Sequence, residues 1–174
     1  MADKINVLIS EEELDKRIRE LGEQISRDYA GKTLHLVCVL KGGAFFTTEL
    51  AKRITIPVTF DFMSCSSYGS GTTSSGIVKI VKDLDETIEG RDVMVVEDII
   101  DSGKTLSYLM PMLAQRKPAS LKLCTLLDKP DRRVVDVKVD YTAFRVPDVF
   151  IVGYGLDYDQ KYRNLPYIGA VEVE

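Results

Sequence analysis

Asp92-Val-Met-Val-Val-Glu-Asp-Ile-Ile-Asp-Ser-Gly-Lys-Thr105 runs from an apolar stretch through three carboxylates into a glycine turn. Asp92 to Val96 reads as a strand buried on both faces, the pattern of a parallel sheet. Leu106, Leu109, Met110 and Leu113 then recur at helical spacing. They predict a helix from Lys104 to about Arg116, kinked at Pro111 and ended by Lys117-Pro118. Strand, glycine turn and helix make a βα unit, and ligands of such units sit at the carboxyl ends of the strands.

Working outward, the same grammar recurs. Leu34 to Leu40 is an apolar run of strand length, followed by Lys41-Gly42-Gly43 and a helix from Ala44 to Arg53. Before it, Leu14, Ile18, Leu21 and Ile25 mark an amphipathic helix that opens on a Ser10/Glu13 capping box and ends near Gly31. Val58 to Cys65, Ile77 to Lys82, Leu121 to Leu127, Val134 to Val139 and Val149 to Tyr154 read as further strands, and Tyr158 to Glu174 as an irregular tail. Ser66 to Gly76 holds only Ser, Thr and Gly apart from Tyr68, a composition that predicts a mobile loop. Strands alternating with helices predict an α/β fold, a mostly parallel twisted sheet flanked by helices.

Composition bounds the function. The chain has 174 residues, 45% of them hydrophobic, enough to bury a core as one domain and to exclude intrinsic disorder. With 23 basic against 27 acidic side chains it has no overall basic footprint for a nucleic-acid polymer. Cys38, Cys65 and Cys124 are odd in number and lack metal-site spacing, which fits buried thiols in the cytoplasm. Nothing in the sequence marks export or membrane anchoring. His35 stands alone in an apolar strand and reads as structural.

The chemistry of the opening stretch is specific. Ser102-Gly103-Lys104-Thr105 offers N–H groups, hydroxyls and a positive helix end to a phosphate monoester. Glu97 and Asp98 would repel that phosphate unless something lay between them. A ribose does so: its hydroxyls donate to carboxylates while its 5′-phosphate reaches the turn. A Walker A loop is excluded because its first glycine would fall at Asp98. Gly69-Ser-Gly71 with Gly76 is no dinucleotide fingerprint, since the third glycine is misplaced and a strand follows.

Val95 to Thr105 resembles the phosphoribosyl pyrophosphate motif of type I phosphoribosyltransferases. Leu40-Lys41-Gly42-Gly43, Ser67-Tyr68-Gly69, Lys129-Pro130 and Phe150-Ile-Val-Gly-Tyr-Gly-Leu-Asp157 follow the order found in the hypoxanthine-guanine branch of that family. The resemblance implies the type I phosphoribosyltransferase fold as a single domain over 1–174. A small hood would be built from the N-terminal segment and roughly 150–174. It further implies transfer of the phosphoribosyl group from 5-phosphoribosyl 1-pyrophosphate to N9 of hypoxanthine or guanine, with Mg²⁺, in a homodimer or homotetramer.

Residue roles are carried over from the same resemblance. Glu97 and Asp98 would hold the ribose hydroxyls, directly or through Mg²⁺, and Asp101 would be the general base at purine N7. Asp101, Ser102, Gly103, Lys104, Thr105 and Leu106 would cradle the 5′-phosphate. Lys41, Gly42 and Arg163 would bind pyrophosphate, and the family's Leu40–Lys41 peptide can be cis. Ser67 and Tyr68 would ride on a closing loop. Lys129 would donate to the purine O6 and Phe150 would stack on the ring. Ile151 and Asp157 would meet the base edge by their backbone, and Asp157 would carry a second Mg²⁺. A transferase for xanthine, adenine or orotate is one rival; a regulator that binds the sugar without turnover is the other.

Overall fold

The computed structural model describes residues 3–67 and 78–172. In chain order its elements are β1 (Lys4–Ile9), α1 (Glu11–Asp28), β2 (Leu34–Leu40), α2 (Ala44–Lys52), β3 (Val58–Ser67), β4 (Val78–Lys82) and β5 (Asp92–Ile100). There follow α3 (Lys104–Ala114), β6 (Ser120–Asp128), a 3₁₀ turn (Pro130–Arg132), β7 (Tyr141–Arg145), β8 (Ile151–Val152) and β9 (Ile168–Glu172).

Six strands form one sheet in the order β4-β3-β2-β5-β6-β7, parallel except for the antiparallel edge strand β4. Alternate side chains of its central strands feed two cores. Leu34, Leu36, Met94, Val96 and Leu126 face α1 and α2, whose Leu14, Ile18, Leu21, Ile25, Phe46 and Leu50 cover them. Val37, Val93, Val95 and Leu123 face α3 through Leu106, Leu109 and Leu113. With α2 and α3 on opposite faces, the direction of winding reverses between β2 and β5. That reversal opens a crevice at the carboxyl ends of the two strands, which is the usual ligand position in such sheets.

A second sheet, ordered β1-β9-β8, is antiparallel and joins the two ends of the chain. Its Ile9, Ile151 and Ile168 pack into the same core as α1 and α2.

Several expectations are corrected. β5 runs on through Ile100, so Glu97 and Asp98 belong to the strand rather than to a turn after it. Val134 to Val139 is not a strand. Val134 is 66% exposed, while Val137 and Val139 pack beside the α3 core, so their alternation reflects packing without pairing, and the strand is β7. Val149 to Tyr154 shrinks to the two residues of β8, and the tail holds β9. Ser66 and Ser67 end β3, paired with Lys79 and Val78, instead of opening a loop. Tyr68 and the rest of the stretch through Gly76 lie outside the described residues.

Candidate active site

Three loops leave the carboxyl ends of β2, β5 and β6 side by side. The first, Lys41 to Gly43, begins with a cis peptide between Leu40 and Lys41. It packs so closely that a Cβ on Gly42 would fall on the Asp98 carboxylate, and the Gly42 carbonyl lies against Gly155. Lys41 Nζ donates to Gln160 Oε1 at 3.3 Å, and Arg163 Nη2 donates to the same oxygen at 3.1 Å. Two of the three predicted pyrophosphate ligands, Lys41 and Arg163, are thus gathered by Gln160, a residue the sequence did not single out.

The second loop follows β5. Glu97 is buried, and among the described residues neither it nor Asp98 has a cationic partner. Burial, then the adjacent Asp98 charge, pushes the Glu97 carboxyl well above its ordinary range. Asp98 Oδ1 accepts from the Ile99 N–H at 2.7 Å. Gly103 caps α3 with φ +85°, a left-handed conformation natural to glycine, and brings no side chain of its own to the first turn, where Ser102 Oγ accepts from the Lys104 N–H at 3.4 Å. Glu97, Asp101, Ser102, Gly103, Thr105 and Leu106 line one cavity of about 260 Å³. Cys65 lines it too, half-buried rather than enclosed like Cys38 and Cys124, and proximity through β3 was its only signal.

The third loop clasps the second. The Lys129 N–H donates to the Ile100 carbonyl at 3.0 Å, and the N–H groups of Val134 and Val135 donate to the Ser102 carbonyl at 3.0 and 3.2 Å. Arg132 Nε lies 3.2 Å from Asp101 Oδ1, and Arg133 pairs with Asp128 while its Nε donates to the Asp101 carbonyl. Neither arginine was picked out from the sequence. Lys129 is only 8% exposed, and among the described residues its ammonium has no hydrogen-bond or ion-pair partner. Its Nζ is not among the enclosed polar atoms, so the stem is buried while the ammonium stays open to an acceptor from outside the chain.

The last predicted residues stand on the C-terminal segment. Phe150, 46% exposed, meets Tyr158 edge-on at 5.3 Å, and Ile151 is buried in β8 opposite Ala170. The Asp157 carboxylate is 3.4 Å from Arg163 and accepts from the Gln160 N–H at 2.8 Å. Arg163 Nη1 also donates to the Gly155 carbonyl at 2.7 Å. Tyr154, Asp159, Gln160 and Tyr162 all have positive φ, a concentration of costly backbone typical of a site held in a fixed shape.

Residues 10–159 match the model of the phosphoribosyl transferase domain. The chain belongs to the phosphoribosyltransferase family. A hypoxanthine-guanine phosphoribosyltransferase of Streptococcus thermophilus (strain CNRZ 1066) is 56% identical over 168 residues, covering 97% of this chain and 93% of its own. One from Mycobacterium tuberculosis (strain ATCC 25618 / H37Rv) is 52% identical over 173 residues, covering 96% and 86%. Among solved structures, a hypoxanthine-guanine phosphoribosyltransferase from Bacillus anthracis superposes with a TM-score of 0.92 at 48% identity, covering 99% of this chain and 100% of that one. The sheet order and flanking helices are accordingly those of the type I phosphoribosyltransferase fold.

Among the described residues no three of His, Cys, Asp and Glu converge on one point. Glu97 and Asp98 are nevertheless hard oxygen donors without a cation, which suits an ion that takes its other ligands from substrate oxygens and water.

Proposed function

We propose that this chain is a purine-salvage hypoxanthine-guanine phosphoribosyltransferase. It transfers the 5-phosphoribosyl group from 5-phosphoribosyl 1-pyrophosphate to hypoxanthine or guanine, giving IMP or GMP and pyrophosphate. The observation that carries this reading is one cavity in which a buried strand-end carboxylate, Glu97, meets the uncapped start of α3. Ribose hydroxyls and a 5′-phosphate need those two surroundings a few ångströms apart.

In the reaction, N9 of the purine bonds to the ribose C1′ as the bond from C1′ to pyrophosphate breaks, and the N7 proton passes to Asp101. Asp101 is the acidic side chain on this cavity's turn, half exposed and able to accept a proton. Ser102 to Leu106 hold the 5′-phosphate by N–H groups and the helix end. Glu97 and Asp98 hold the ribose hydroxyls and offset positive charge developing on the ring. Lys41, Gly42 and Arg163 receive the pyrophosphate, a role supported by their common tie through Gln160 and Gly155. The unpartnered Lys129 donates to the purine O6, exposed Phe150 stacks on the ring, and Ile151 and Asp157 meet its edge. Tyr68 helps keep water from the reacting centre and so limits hydrolysis.

Mg²⁺ would be held by Glu97 and Asp98, with a second ion at Asp157, and would supply charge neutralisation of the pyrophosphate. We read β1, β8 and β9 as a hood over the purine side. Assembly into a dimer or tetramer is supported by Phe45 and Phe60, left 42% and 45% exposed. A cytoplasmic setting is supported by three free thiols, and no helix among the described residues is long and apolar enough to cross a membrane.

The test is release of pyrophosphate and formation of nucleotide with hypoxanthine, guanine, xanthine and adenine in turn, each with and without Mg²⁺. Mg²⁺-dependent IMP and GMP formation is expected; sugar binding without turnover of any base would point to a regulator instead.

A further inference from the structure

Arg132 closes the 3₁₀ turn directly after Lys129 and faces two carboxylates with different nitrogens. Its Nε is 3.2 Å from Asp101 Oδ1, and its Nη1 is 3.8 Å from Asp148 Oδ2. Asp148 precedes Phe150 by two residues, so one guanidinium links the phosphate loop to the segment that carries the ring platform. Arg133 is spent on Asp128 and on the Asp101 carbonyl, which leaves Arg132 as the cation at the Asp101 side chain among the described residues.

We propose that Arg132 is a positioning residue for Asp101, and that Asp148 keeps it in the productive pose. This rests on the reading of Asp101 as the general base. The Asp101 side chain is 47% exposed and stands on a turn, where an unrestrained carboxylate would sample several rotamers. A base has to lie within hydrogen-bond reach of the proton it takes. One guanidinium edge holds Oδ1 and leaves Oδ2, which has no partner among the described residues, free for the purine N7 proton. Arginine readily forms a two-pronged pair with a carboxylate, which would occupy both oxygens. The pull of Asp148 on the other edge opposes that rotation.

The arrangement predicts coupled effects. Arg132→Gln lowers kcat about tenfold while both KM values stay within about twofold, because aim is lost and binding is kept. Arg132→Lys, which restores one donor to Oδ1, recovers most of that loss. Asp148→Asn also lowers kcat, because Arg132 then closes on Asp101, and this effect disappears in the Arg132→Gln background. Melting temperatures stay within about 3 °C of wild type, since the pairs are half exposed. Full turnover in Asp101→Asn would remove the general-base reading itself. Slow turnover in Asp101→Asn together with unchanged kcat in Arg132→Gln, or with effects of Arg132→Gln and Asp148→Asn that simply multiply, would overturn the positioning role alone.

Discussion

Two helices in this chain begin in opposite ways. The start of α1 is complete in itself: Ser10 accepts the Glu13 N–H, Glu13 reaches back to the Ser10 N–H, and Glu11, Glu12 and Glu13 complement the helix dipole. The start of α3 has none of this, with a glycine cap, no cap side chain and no acid in its first turn. The first is a solution to a folding problem. The second leaves positive charge and the Thr105 and Leu106 N–H groups facing a cavity, at a cost in local stability of about a few tenths of a kcal/mol relative to a side-chain cap. A local rule broken beside a cavity marks the place where a ligand completes the structure.

The largest expected effect comes from giving α3 the feature α1 has. Thr105→Glu places a carboxylate in its first turn, where the dipole welcomes it and the fold tolerates it. On the proposed reading, the same carboxylate takes the place of the 5′-phosphate. Losing two charge-assisted hydrogen bonds at about 1.5–3 kcal/mol each predicts a drop in kcat/KM for phosphoribosyl pyrophosphate of about 10²-fold or more. The melting temperature should not fall. A variant of normal sugar affinity would mean that the open helix start is not the phosphate site.

Lys129 extends the comparison from N–H groups to a side chain left unsatisfied. Lys129→Met keeps the length and volume and removes an ammonium that has no partner among the described residues. Its purine KM should rise about 10- to 100-fold, the worth of one hydrogen bond to a charged donor, with little change in KM for the sugar. Thermal stability should equal or exceed wild type, since no pair is broken. Equal losses for both substrates, or a marked fall in stability, would make Lys129 structural.

What the sequence disclosed follows the same division. The Glu97 to Thr105 stretch was legible because its parts are contiguous, and α1 and β2 because burial imposes a period on them. β1 was missed because it is mostly exposed and pairs with β9, about 160 residues away, so it carries no alternation of its own. Val134 to Val139 misled for the converse reason, alternating for packing alone. Gln160, Arg132 and Arg133 have no local signature. Their meaning comes only from tertiary neighbours such as Lys41 and Asp101.

His35 differs from both helix starts and from Lys129. Its Nε2 is buried and without a partner among the described residues, yet it lies in β2 with no described cavity lined by it. Its Nδ1 meets Thr59 Oγ1 at 2.7 Å, an oxygen that also accepts from Arg91. Burial first, and then the Arg91 charge, lower its pKa from 6.5. The unfolded chain therefore takes up a proton that the folded chain refuses, and stability falls as pH drops through about 6.5, by at most about 1.4 kcal/mol per pH unit. Above that pH the term vanishes. His35→Asn cannot titrate, so between pH 6.5 and 5.5 its denaturation free energy should fall less steeply than wild type, whatever its absolute value. Turnover at neutral pH should be unchanged. Parallel pH curves would show that His35 is protonated in the fold after all, and lost turnover would bring it into the site. A polar atom without a partner thus signals a ligand only where solvent already reaches it, as it reaches Lys129 Nζ and not His35 Nε2.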